Sequence, residues 1–455
     1  MKTLNRRDFL RTSGAAALMA ATPGLAYSQV VGGGGSFTDY RALVCVFMFG
    51  GNDSFNMLVP NTSAEYAAYA NSRQNLALLP SELLPISPAS YAGPDFGLHY
   101  AMGGVKDLFD AGNAALVTNV GPLVEPTTKD QYFNGTTTLP PQLFSHNDQQ
   151  DQWTSLRGTV PSKTGWAGRM ADLIRDGVAG QQMATNASLF GSNLFQSADE
   201  TVAYVMGPRG PAQYRGFSTV PGDILNEQRI AFGRVVDAQY NTVYERSFRD
   251  VQRRAIDAAD AVSTAIANQR DNFPLATSFP ASQLGTQLET VAYLIAARDD
   301  LQMQRQVFFV AAGGFDSHDH QVDDQPVLLG GISDAIAAFH AATVELNIDD
   351  GVTTFTQSDF GRTLTSNGDG TDHAWAGNQL VVGGAVNGGD LYGSYPLLEI
   401  GGPEDVGGGR IIPSTSADQY AATLARWFGI PDVDLDVVAP NLANFAQRDL
   451  GFMIG

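Results

Sequence analysis

Apolar residues run almost without interruption from Arg41 to Phe49, through Leu43-Val44-Cys45-Val46-Phe47. Such a run, with β-branched and aromatic members, predicts a strand buried on both faces, as in a parallel sheet. Similar runs recur at Ala114–Val120, Val307–Ala312 and Val352–Thr356. Between them the period changes. Residues 100–111 set Met102, Val105, Leu108 and Phe109 on one side, the spacing of an amphipathic helix. Residues 226–272 carry helical periodicity with alternating charges, and residues 281–304 and Gly331–Leu346 read as further helices. Ser416–Phe428 reads as a C-terminal helix, with Gly429 near its end and Pro431 beyond. Residues 121–165, rich in Pro, Thr, Gln and Asn, read as long loops, and residues 377–412 as short β-like runs between glycines. Helices feeding strands predict an α/β fold with a mostly parallel central sheet and helices on both faces. The charged helical stretch at about 200–304 is expected as an insertion or cap over that sheet.

The N-terminus predicts export. Asn5-Arg6-Arg7-Asp8-Phe9-Leu10 precedes a short apolar stretch from Ala15 to Leu25, and Ala26-Tyr27-Ser28 offers a small-x-small cleavage site. Paired arginines followed by Phe-Leu are the twin-arginine (Tat) form of such a signal, although Asn5 stands where Ser or Thr is usual. The organisation expected is a signal over 1–28, a Gly-rich linker over 29–40 and one domain over 41–455. No later segment reads as long and apolar enough to span a membrane. The destination is the periplasm or the exterior.

Charge narrows the partners. The chain carries −20 overall; losing Lys2, Arg6, Arg7, Arg11 and Asp8 with the signal leaves −23. Such a chain repels nucleic acid and anionic lipid at long range. Cys45 is the one cysteine, so there is no internal disulfide, and its apolar run marks it as a core thiol.

Three predicted strands end in an aspartate: Asp53 after Gly50-Gly51-Asn52, Asp316 after Gly313-Gly314-Phe315, and Asp359 after Gln357-Ser358. Parallel strands point their carboxyl ends the same way, where α/β sheets bind ligands. Three converging carboxylates repel unless a cation sits among them. The histidines lie close in sequence: His318 and His320 follow Asp316, His373 follows Asp372, and His146 sits in Ser145-His146-Asn147-Asp148. Mixed carboxylate and imidazole donors suit Zn, Mn or Fe, whereas an oxygen-dominated set suits Ca or Mg. His99 and His340 read as structural.

Gly50-Gly51-Asn52-Asp53, Gly313-Gly314-Phe315-Asp316-Ser317-His318 and Ser358-Asp359-Phe360-Gly361-Arg362-Thr363 resemble the blocks of DUF1501, a bacterial family of mostly Tat-exported proteins without a settled activity. Ser416-Ala417-Asp418-Gln419-Tyr420 and Trp427-Phe428-Gly429 extend the resemblance along the mature chain. DUF1501 is in turn similar to the alkaline phosphatase-like superfamily, which includes sulfatases and phosphomutases. The resemblance implies an alkaline phosphatase-like fold and metal ligands at Asp53, Asp316, His320 or its rival His318, Asp359 and His373. It places Ser145 near the nucleophile's position and offers Arg362 as a clamp for anionic oxygens. It departs at Phe360, where a histidine would follow Asp359; either Asp372 substitutes or a second metal is absent. The function implied is an exported hydrolase of phosphate or sulfate esters, dependent on a divalent metal (Zn, Mn, Fe or Ca). The alternatives are a non-catalytic exported protein that binds a surface glycan or a second exported protein, and a structural cell-surface protein.

Overall fold

The computed structural model describes residues 37–91, 95–211, 218 and 220–454. The predicted signal and most of the linker lie outside these residues. The strands of the central sheet are, in chain order, β1 (Arg41–Met48), β2 (Ala114–Gly121), β3 (Asn186–Ser188), β4 (Tyr204–Val205), β5 (Arg305–Ala312), β6 (Val352–Ser358), β7 (Gly377–Val382), β8 (Asp390–Tyr392) and β9 (Thr415–Ser416). Across the sheet they run β8-β2-β7-β6-β1-β5-β3-β4, with β9 beside β2. Of these, β7 runs antiparallel to β2 and β6, and the other pairings are parallel.

β1 shows why the apolar run is continuous. Val44, Val46 and Met48 face one core, while Leu43, Cys45 and Phe47 face the other. Each side chain so buried contributes about 1.5–3 kcal/mol relative to exposure. The helices that matter below are α1 (Ser63–Arg73), α2 (His146–Ser155), α3 (Ile224–Asp237), α4 (Val243–Asn272), α5 (Gln283–Ala296), α6 (Gln321–Glu345) and α7 (Ala417–Phe428). α5 and α6 cover the first face, through Leu288, Val291, Ile332 and Ile336 among others. α7 covers the second, through Tyr420, Leu424 and Phe428.

Two expectations change. The stretch 121–165 is not all loop: it contains α2, whose sequence His-Asn-Asp-Gln-Gln-Asp-Gln-Trp-Thr-Ser is too polar to show an apolar stripe. Trp153 nevertheless anchors it in the core. Among the described residues one helix, α6, is also long and apolar enough to cross a membrane by length and composition, contrary to the sequence expectation. Its Leu329, Ile332, Ile336 and Phe339 pack into the core beside the sheet.

Register prepares the site. Met48 of β1 stands level with Ala312 of β5 and Ser358 of β6. The segments leaving these three strands therefore emerge side by side. The turn after β1 is closed by Gly50 and Gly51, both at positive φ. A Cβ on Gly51 would come within 2.3 Å of the Phe360 ring, so only glycine fits there.

One buried acid gives the fold a pH signature. Asp418, in the first turn of α7, accepts from the Asn441 backbone N–H at 2.9 Å. Burial pushes its pKa up to about 7, against the opposing hydrogen bonds from Asn441. An unfolded aspartate titrates near 3.9. The stability Asp418 contributes is thus complete below about pH 4 and is lost as pH rises towards about 7. Asp418→Asn should gain on the wild type in urea midpoint between these values and hold a constant lead above them. A gap between the two proteins that does not change with pH would contradict this.

Candidate metal centre

Asp316 Oδ1 faces three imidazoles. It lies 3.1 Å from His318 Nε2, 3.4 Å from His373 Nε2 and 3.5 Å from His146 Nε2. The Nε2 atoms of His318 and His373 are 2.9 Å apart. Ligand atoms of His146, Asp316 and His373 all fall within 4.8 Å of one another. The four residues come from three separate pieces of the chain. Asp316 and His318 sit in the loop after β5, and His146 opens α2. His373 ends the small hairpin Arg362–Ser366/Thr371–His373, directly across from Arg362. Hydrogen bonds to the backbone tie these pieces together: Thr371 N–H donates to Ser317 O at 2.9 Å, and the Asn367 side-chain Nδ2 to His318 O at 3.0 Å.

The outer nitrogens decide the chemistry. His146 Nδ1 is 2.7 Å from Asp359 Oδ2, His373 Nδ1 is 2.8 Å from Phe144 O, and His318 Nδ1 is 3.3 Å from Asp372 Oδ1. A carbonyl or carboxylate oxygen only accepts, so these partners assign the proton of each neutral ring to Nδ1. Each ring then turns its Nε2 lone pair towards the others, that of His318 also lying 3.5 Å from Arg362 Nη1. Lone pairs 2.9 Å apart repel unless a cation lies between them. Nδ1–H held by an outer acceptor, with Nε2 turned inward, is the arrangement that orients metal-binding histidines. Burial lowers the His373 pKa and so favours the neutral ring, outweighing the hydrogen bond to Phe144, which acts the other way. Burial pushes Asp316 up, but the Arg362 hydrogen bond and charge win and hold its carboxyl below the usual range.

Three nitrogens and one carboxylate oxygen fit Zn, Mn or Fe; they are too poor in oxygen for Ca. The side chains of His318 and Asp316 are 43% and 48% exposed, so the centre opens to solvent and leaves room for water or substrate. Phe360 closes the inner side, its ring centroid 4.8 Å from that of His146 and 4.6 Å from that of His373.

The other expected residues take different places. Asp53 pairs with Arg73 of α1 and with Gln321 of α6, both it and Arg73 fully buried, and does not join the imidazoles. Asp359 backs His146 and also accepts from Gln150 Nε2 at 2.8 Å, one turn further along α2. Asp372 backs His318. His320, 70% exposed, lies beside Asp319 at the start of α6. The Ser145 hydroxyl donates to Asp148 Oδ2 at 2.6 Å, within its own helix turn. Arg362 donates to the carbonyls of Gly50, Gly51, Phe315 and Thr371 as well as to Asp316. Its guanidinium staples the strand-end loops and is occupied before any substrate arrives. The sequence places His146 only by its neighbourhood, Ser145-His146-Asn147-Asp148, outside the ligand set that the resemblance implies. Its signal was a histidine opening a polar segment next to a serine, which strand-end reasoning does not weigh.

Fold and site together define a mixed α/β protein with a candidate three-histidine, one-aspartate centre at the carboxyl ends of its strands. The family described as "Protein of unknown function (DUF1501)" matches residues 40–406, and the chain belongs to it. A twin-arginine translocation signal matches residues 3–23, which indicates export through the Tat pathway to the periplasm or beyond. No curated protein matches the chain. Among solved structures, Ps i-CgsB in complex with k-i-k-neocarrahexaose is similar at 9% identity and a TM-score of 0.34, over 90% of this chain and 77% of that one. A Bacteroides thetaiotaomicron structure, described under the metabolism of multiple glycosaminoglycans, is similar at 10% identity and a TM-score of 0.32, over 87% and 74%. At such scores the likeness carries no argument about chemistry.

Proposed function

We propose that this protein is an exported metal-dependent hydrolase of phosphate or sulfate esters, with one divalent cation held by His146, Asp316, His318 and His373. The observation that carries the proposal is the convergence of three Nε2 lone pairs on one carboxylate oxygen, each ring fixed from behind. When bound, the cation supplies Lewis acidity and an acidified water. The chain's own residues do the rest. Asp359 and Gln150 fix the orientation of His146, Phe360 braces two rings, and Arg362 holds Asp316 against the loops. Asp53 already has its counter-charge in Arg73, which favours one metal over two.

A second reading is a metal-binding exported protein without catalysis. Two observations favour it: the Ser145 hydroxyl is committed to Asp148, and the Arg362 donors are filled. Neither a free nucleophile nor a free anion clamp therefore accompanies the centre in these two residues. The two readings separate by turnover. The mature protein is stripped with a chelator, reloaded with Zn, Mn, Fe(II) or Ca, and offered aryl phosphate and aryl sulfate esters. Hydrolysis that appears only with metal, disappears in Asp316→Ala and survives in Ser145→Ala supports the hydrolase. Metal binding without turnover on any ester supports the second reading.

A further inference from the structure

The loop leading into α2 holds two non-glycine residues in left-handed backbone, Gln142 at φ 52° and Phe144 at φ 72°. Side chains disfavour that conformation because the Cβ crowds the following carbonyl. It lasts where the surroundings over-determine it, and such residues gather at functional sites.

Here the determinants are two glutamines of α2 and one arginine. Gln149, fully buried, accepts from the Phe144 N–H through Oε1 at 2.6 Å. Gln152, also buried, donates from Nε2 to the Pro141 carbonyl at 2.6 Å. The Arg410 guanidinium lies over the Phe144 ring, its carbon 5.2 Å from the ring centroid. The same guanidinium donates from Nε to the His373 carbonyl and from Nη1 to the Gly407 carbonyl, both at 3.1 Å. Arg410 thus touches both partners of one further bond, from His373 Nδ1 to the Phe144 carbonyl at 2.8 Å. A carbonyl points where the φ and ψ of its own residue send it. An extended or right-handed Phe144 turns that oxygen away from His373 and leaves the imidazole free to carry its proton on either nitrogen.

We propose that Phe144 is a positioning residue of the centre: its left-handed backbone, locked by Gln149, Gln152 and Arg410, aims the carbonyl that keeps the His373 proton on Nδ1 and its Nε2 lone pair inward. The proposal rests on reading the histidine–aspartate cluster as a metal centre. Phe144→Gly and Phe144→Val test it as a pair. Both lose the ring that Arg410 covers, but only glycine takes a positive φ without strain. In the chelator-stripped mature protein, nitrogen NMR of the histidine rings should show the His373 proton on Nδ1 in the wild type and in Phe144→Gly, and shared between both nitrogens in Phe144→Val. By chelator competition, Phe144→Val should bind Zn at least about ten-fold more weakly than Phe144→Gly. Gln149→Met, which removes the acceptor at similar length, should bind Zn about ten-fold more weakly than the wild type, with unchanged far-UV circular dichroism. A role confined to folding lowers the urea midpoint and moves neither the proton nor the Zn affinity of the folded protein. A wild type that binds Zn, beside Phe144→Val or Gln149→Met that bind it equally well, would overturn this proposal alone. A wild type that binds no Zn would overturn the centre and this proposal together.

Discussion

His373→Ala is expected to bind Zn or Mn at least about 100-fold more weakly than the wild-type mature protein, without loss of fold. His373 is central because its Nε2 touches both His318 and Asp316, while its Nδ1 is held by the Phe144 carbonyl. It ends a two-stranded hairpin at the protein surface, so truncation leaves the sheet intact. A graded partner sharpens the test. Asp359→Asn should weaken binding about 10–100-fold without removing a ligand. An asparagine there can donate to His146 Nδ1, which moves the ring proton to Nε2 and takes that lone pair out of the centre. Competition with a chromophoric chelator measures both. Equal affinity in wild type and His373→Ala would dismiss the site, and an unaffected Asp359→Asn would dismiss the tautomer.

The second large effect falls on stability. Arg73→Met should cost about 3–5 kcal/mol in urea unfolding, because it strands the Asp53 carboxylate in a site with almost no access to water. Gln321 remains as a donor to Asp53, but a neutral amide does not replace a charge. Removing both charges, as Arg73→Met/Asp53→Asn, should recover most of the loss, since a buried pair is worth little against a neutral replacement. Asp53→Asn should leave metal affinity within a few fold of wild type. A loss of metal in Asp53→Asn comparable to that in His373→Ala would return Asp53 to the centre as a ligand.

These two results touch what was legible in the sequence. β1, β2 and β5 announce themselves because strands buried on both faces are largely apolar, and β6 by its β-branched and aromatic residues, Val352, Thr353, Thr354, Phe355 and Thr356. Asp316 and His318 could be nominated because they follow the end of a predicted strand, and His373 because the family resemblance implies a metal histidine beyond Asp359. Asp53 and Asp359 carried the same sequence signature yet serve other partners. The partner of Asp53 is Arg73, twenty residues away on a helix with no clear apolar stripe, and only tertiary packing reveals the pair. Asp359 reaches the centre at second hand, through His146. His146 itself was hidden by α2, since a helix of Asn, Asp and Gln shows no period to read. β3 and β4, of three and two residues, are too short to leave a pattern.

The measurement that most directly tests the centre is the metal content of the mature, Tat-exported protein by elemental mass spectrometry, beside His373→Ala prepared in the same way. One Zn, Mn or Fe per wild-type chain, absent from the variant, is the result expected from three inward lone pairs around Asp316. A wild type that carries no metal even after reloading, or a variant that carries as much as the wild type, would contradict it.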